Sequence, residues 1–215
     1  MSESLPAPDP RLFRTPRRGD VYELDAAVRL ARIYPTAGAH PLNWNQFRTV
    51  GPLGGGRFDH HVVGADRGIW YGAASRTPAG QHINALVGAV AETSAETFTI
   101  DRAVNGRHLV LCTPARPLRL LRLDSGWLPA AHGTGAIFTG PRPRAHECSR
   151  AIYDHYPDLD GLYYPSSNHP ASGCVALYER SQDALTTPLL LRPLTAAGLT
   201  RYLEQAAHEL GWPLT

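Results

Sequence analysis

Apolar residues in this chain come in short runs, and that shortness constrains the fold more than any other feature. HLVLC (108–112), LRLLRL (118–123), AIFTG (136–140), GLYY (161–164) and CVALYE (174–179) each have the length of a strand, and GIWYGA (68–73) reads as a short buried one. Val28, Leu30 and Ile33 mark an earlier strand that Pro35 breaks. Helical spacing appears in three places. Ile83, Leu86, Val87, Val90 and Ala91 predict a helix over 82–97, and Cys148, Ile152 and Tyr156 predict one over 145–156. Leu199, Tyr202, Leu203, Ala206 and Leu210 form the stripe of a last helix, with Thr195 as its N-cap and Gly211 as its C-cap. Strands and helices alternate without a regular βαβ rhythm, and no segment repeats. The expected class is α+β.

A length of 215 residues suits one domain with an arm. Residues 1–20 carry Pro6, Pro8, Pro10 and Pro16 among Arg11, Arg14, Arg17 and Arg18, which predicts an irregular, largely exposed arm. Residues 21–215 are expected to form a single domain. Nothing approaches the ~20 apolar residues of a membrane span, and the first residues lack the apolar core of a signal peptide. A cytoplasmic location is the expectation. Cys112, Cys148 and Cys174 are odd in number and widely spaced, which suits free thiols better than disulfides or a thiolate zinc site.

The net charge of +2 is too small to predict direct nucleic-acid binding. All 21 basic residues are arginine. A chain without lysine has no Schiff-base lysine and no Walker A lysine, so any grip on an anion falls to guanidinium groups, helix N-termini or backbone N–H.

The densest cluster of chemistry is GGGRFDHH, from Gly54 to His61, which opens in a predicted loop over Gly51 to Gly56. It is neither a Walker A loop nor a dinucleotide fingerprint. Arg57 there is a turn residue or a ligand contact, and His60 a cleft or a structural residue. His60 and His61 are adjacent and point apart on an extended segment, a poor metal pair. Ser166 and Ser167 follow a predicted strand, but no GxSxG elbow surrounds them. Glu92 and Glu96 stand one turn apart on the helix over 82–97.

The order of these pieces carries more than any one of them. LARIYP, GGGRFDHH, GIWYGA, AVAETSAETFTIDR, DGLYYPSS and VALYER follow one another along residues 28–180. The series resembles the RES domain, a family named for an arginine, a glutamate and a serine. By that resemblance the arginine is Arg32, the glutamate Glu92 and the serine Ser166, with Arg57 as a second arginine and Tyr71 as the pocket tyrosine. The nine-residue interval from Glu92 to Asp101 favours Glu92 over Glu96, while Ser166 and Ser167 stay alternatives. SRTPAGQHIN, between Tyr71 and the glutamate helix, is longer than the family pattern.

The resemblance implies a compact split sheet with flanking helices, similar to ADP-ribosyltransferase toxins. It implies an NAD+-consuming toxin paired with an Xre-like antitoxin that covers the cleft. The reaction would be phosphorolysis, with inorganic phosphate as co-substrate, or hydrolysis; protein ADP-ribosylation and a non-enzymatic binding module are the alternatives. No metal is required. Arginine suits the diphosphate of NAD+ because its planar fork binds phosphate oxygens in pairs. Nicotinamide leaves as a neutral molecule, so a single carboxylate can suffice to stabilise the ribosyl cation. Arg32, Arg57 and Glu92 are therefore expected to converge on one cleft, with Tyr71 against the nicotinamide ring and Ser166 bonded to ribose, nicotinamide or phosphate.

Overall fold

The computed structural model describes residues 5–49, 55–62, 64–75 and 82–215. Gly51–Gly54 of the glycine loop, residues 76–81 of the long connection and residues 1–4 of the arm lie outside the described residues. The strands are β1 (Val21–Leu24), β2 (Leu30–Tyr34), β3 (Ile69–Ala74), β4 (His108–Cys112), β5 (Leu118–Arg122), β6 (Gly161–Pro165), β7 (Gly173–Tyr178) and β8 (Pro188–Pro193). The helices are α1 (His82–Ser94), α2 (Trp127–Ala130), α3 (Ala136–Thr139), α4 (Arg142–His155) and α5 (Thr200–Leu210). The class is α+β, as the short runs predict.

All eight strands join one hydrogen-bonded sheet in the order β1-β5-β6-β7-β3-β2-β4-β8, where the resemblance implied a split one. Every neighbouring pair is antiparallel except β5 and β6. Parallel neighbours need a crossover, and here α2, α3 and α4 supply it. β2 and β7 lie in the middle of the sheet and are buried along their whole length, so both of their faces are packed.

Each face of the sheet carries its own core. On one, Ala31, Ile33, Ala73, Cys174 and Ala176 pack under α1, α4 and α5, against Val87, Val90, Ile152 and Leu203. On the other, Leu30, Tyr34, Trp70, Val110 and Leu177 pack under loop residues such as Phe47, Ala184 and Leu185. Alternation along each strand decides which side chain goes where.

Several boundaries differ from the sequence reading. AIFTG is not a strand: residues 136–139 make one helical turn, closed by Gly140 N–H donating to Ala136 O at 2.7 Å. A four-residue apolar run fits either structure, and the flanking Gly135 and Gly140 let it coil. α4 begins at Arg142 rather than 145, because Pro143 is well placed in a first turn. α1 ends at Ser94. α5 starts at Thr200, after a 3-10 turn over Ala197–Leu199, so Thr195 is not its N-cap; Gly211, at φ +68°, does close it. β1, β8 and α2 went unread. β8 has proline at each end and lies at the sheet edge, where a missing N–H costs least.

The arm is anchored. Leu5, Phe13 and Asp20 are buried, and Phe13 stacks on Tyr156 and meets Trp127 edge-on at 5.1 Å. Among the described residues, no helix is long and apolar enough to cross a membrane.

Candidate active site

Glu92 occupies the last turn of α1. The small and branched residues before it (Ala85, Leu86, Val87, Ala89, Val90) are buried against the sheet, whereas Glu92 itself is exposed. Its carboxylate is nevertheless held. Ser166, where the chain leaves β6, donates its hydroxyl to Oε1 at 2.6 Å, and Asn168 Nδ2 approaches the same oxygen at 3.3 Å. Oε2 has no hydrogen bond among the described residues. Glu96 lies beyond the helix and is largely solvated, 4.0 Å from Arg142. Of the two acids Glu92 is the one bonded to a serine, and of the two serines Ser166 is the one that bonds it.

The loop that presents Ser166 is tied on both sides. Ser166 N–H donates to Ser172 O at 3.1 Å, Ser172 Oγ donates to Asn84 O on α1 at 3.2 Å, and His169 Nε2 meets Glu209 on α5 at 3.2 Å. The hydroxyl of Ser166 accepts the backbone N–H groups of Asn168 at 3.1 Å and His169 at 3.0 Å.

Arg57 comes from the glycine loop. It is half-buried, and its Nη1 donates to Gly140 O at 2.8 Å, the C-terminal carbonyl end of α3. Burial and then the neighbouring Arg142 pull its pKa down, while Glu92, Tyr164 and Tyr71 push it back up. Arg57 is thus within electrostatic reach of Glu92. The loop around it is braced at successive residues. His146 bonds Gly56 O at 2.9 Å, Ser149 donates to Phe58 O at 2.7 Å, and Phe58 N–H donates to the Tyr71 hydroxyl at 2.9 Å. A side chain at Gly56 would collide with the Tyr71 ring. Glycine is needed there for the close approach.

Tyr71 donates its own proton to Asp59 Oδ1 at 2.8 Å, and Arg48 Nη2 pairs with the same carboxylate at 2.5 Å. Burial, then the charge of Asp59, raises the Tyr71 phenol well above its ordinary value, so it stays a donor. With its hydroxyl committed, Tyr71 offers a ligand only its ring. Tyr164 on β6 meets the Phe58 ring at 4.7 Å, its phenol raised by burial and then by Cys174, Glu92 and Tyr71. The Cys174 thiol is raised well above its ordinary value by burial and by Glu92, and is inert at neutral pH.

Arg32 does not join this group. Strand alternation sends Ala31 and Ile33 toward α1 but Arg32 to the opposite face of the sheet. There its guanidinium lies 5.2 Å from the Trp70 ring and 5.8 Å from Tyr34, and Nη1 donates to Gln46 O at 2.9 Å and Trp44 O at 3.2 Å. Burial lowers its pKa to about 9, still cationic at neutral pH. The expected convergence of Arg32 with Glu92 does not occur, because the two lie on opposite faces of the sheet; Ser166 does meet Glu92. Arg32 is a brace for the 44–46 loop.

His60 is also structural. It is fully buried, with Nε2 3.1 Å from Glu179 and its ring 4.6 Å from both Tyr153 and Tyr178. Tyr164, Asn168 and Asp59 are members of the assembly that sequence reasoning missed. Tyr164 stood within DGLYYPSS, Asn168 one position beyond it, and Asp59 within GGGRFDHH. Among the described residues, no three His, Cys, Asp or Glu side chains are placed to hold a metal ion.

A family model for the RES domain matches residues 29–196, and the chain belongs to the RES domain family. Its fold is similar to that of a chain in the crystal structure of the M. tuberculosis MbcT–MbcA toxin–antitoxin complex. The TM-score is 0.54 at 14% identity, over 86% of this chain and 90% of that one. No curated protein matches the chain in sequence.

Proposed function

We propose that this protein consumes NAD+ by breaking the nicotinamide–ribose bond, and that it is the toxin of a toxin–antitoxin pair. The observation that carries the reading is the Glu92 carboxylate, exposed yet fixed by Ser166 at 2.6 Å and within electrostatic reach of Arg57. Membership of the RES family and the likeness to a chain of a toxin–antitoxin complex support it. The antitoxin, by this reading, covers Glu92 and Arg57.

The bond between ribose C1″ and the pyridinium nitrogen breaks with its electron pair passing to nitrogen. Nicotinamide departs neutral and needs no general acid. Positive charge grows on the ribose ring, and the Glu92 carboxylate stabilises it. Arg57 faces the diphosphate, and the ring of Tyr71 provides aromatic surface for nicotinamide. An oxygen of inorganic phosphate then bonds to C1″ to give ADP-ribose-1″-phosphate; water in its place gives ADP-ribose and a proton.

Incubating the protein with NAD+, with and without phosphate, and identifying the ribosyl product tests this. Free nicotinamide with either small-molecule product supports the proposal, and phosphate dependence selects phosphorolysis. Label retained on protein would instead identify an ADP-ribosyltransferase. Glu92→Gln is expected to lower turnover by about 10²–10³-fold, and Arg57→Ala to raise KM with the fold intact. NAD+ left intact by the wild type would end the proposal.

A further inference from the structure

A serine hydroxyl has one proton to donate and two lone pairs with which to accept. In Ser166 all three are used. The proton goes to Glu92 Oε1 at 2.6 Å, and the lone pairs take the N–H groups of Asn168 at 3.1 Å and His169 at 3.0 Å. The residue is also only 2% exposed. It has nothing left with which to bond a ligand.

Asn168 is placed differently. It is exposed, and its carboxamide lies 3.3 Å from Glu92 Oε1. A carboxylate only accepts, so the amide nitrogen must face it, which leaves Oδ1 and the second amide proton for another partner. Both donors end on Oε1. Among the described residues, Oε2 of Glu92 and the other half of the Asn168 amide are therefore both left without a partner, an acceptor and a donor–acceptor pair on two residues that already meet at Oε1. That combination matches a sugar diol, whose hydroxyls both donate and accept.

We infer that Asn168 is the residue of this loop that touches the substrate, binding a ribose hydroxyl beside Glu92, and that Ser166 is a positioning residue acting through Glu92. The inference rests on the NAD+ reading above. It reverses the role expected of the family's serine: contact belongs to its neighbour two positions on.

Steady-state turnover and calorimetric titration with NAD+, for wild type, Ser166→Ala, Ser166→Thr and Asn168→Ala, separate the roles. Ser166→Ala is expected to lower kcat by about tenfold or more and to leave KM and the calorimetric affinity almost unmoved, with Ser166→Thr restoring much of the rate. Asn168→Ala is expected to weaken KM and calorimetric affinity together by about tenfold, with kcat little changed. Should Ser166→Ala fail to fold, the affinity of Asn168→Ala decides, because an exposed residue can be truncated without disturbing the core. Wild-type turnover with Asn168→Ala silent, or with affinity lost in Ser166→Ala instead, overturns this inference alone. A wild type that neither binds nor consumes NAD+ overturns the enzymatic reading and this inference with it.

Discussion

His60 donates Nε2–H to Glu179 at 3.1 Å, while its Nδ1 has no partner among the described residues. Protonating that buried nitrogen would leave an unbonded N–H, so the neutral ring is the folded form. Burial accordingly lowers its pKa below the ordinary 6.5, against the opposing pull of Glu179. For Glu179 burial works upward, but hydrogen bonds from His60 and Tyr153 outweigh it and hold the carboxyl at about 2. In the unfolded chain the imidazole binds a proton near pH 6.5, whereas in the folded one it does so only at lower pH. Between those values acid favours unfolding. Stability is therefore expected to fall as pH drops from 7 toward 5, well before Glu179 begins to titrate. The thermal midpoint of His60→Phe should be lower overall but flatter across that range, and an equally steep profile would contradict the assignment. Sequence left His60 open between cleft and core. What decides it is Tyr153, Tyr178 and Glu179, all far away along the chain.

At the scale of elements, the sheet works as a partition. LARIY is buried at every position, and from sequence such a strand names its residues without naming their side. Arg32 was expected at the ligand because of its place in a motif; period-two alternation puts it among Trp70, Tyr34 and the carbonyls of the 44–46 loop. Arg32→Met is accordingly expected to cost about 2 kcal/mol of stability through two lost hydrogen bonds from a charged donor. It should shift KM for NAD+ less than Arg57→Ala does. Denaturant titration beside NAD+ kinetics checks both halves, and a KM effect exceeding that of Arg57→Ala would return Arg32 to the site. α3 illustrates the converse problem. AIFTG has strand-like content, yet its value to the site is as a helical turn whose end accepts Arg57.

At the scale of the whole molecule, the crossover from β5 to β6 brings α4 beside the glycine loop. His146 and Ser149 on α4 then hold the backbone that carries Arg57. The same packing gives the arm a seat, where Phe13 lies against Trp127 and Tyr156 and Arg14 pairs with the buried Asp20. Phe13→Ala is expected to lower unfolding stability by about 3 kcal/mol, in the range of other buried aromatic truncations. An unchanged denaturation midpoint would make the arm a loose appendage.

By itself the sequence determined the α+β class, most strand and helix cores, the family and the chemical types gathered at the site. These follow from local periodicity and from motif order, which survive in one dimension. Tertiary structure alone decided that Arg32 and Glu92 occupy opposite faces of one sheet, that Ser166 is the residue holding Glu92, and that Ser166 has no free hydrogen-bonding capacity. Each of those depends on contacts between residues dozens of positions apart. Hydrogen-bond saturation is a property of a filled three-dimensional neighbourhood, and no spacing along the chain encodes it.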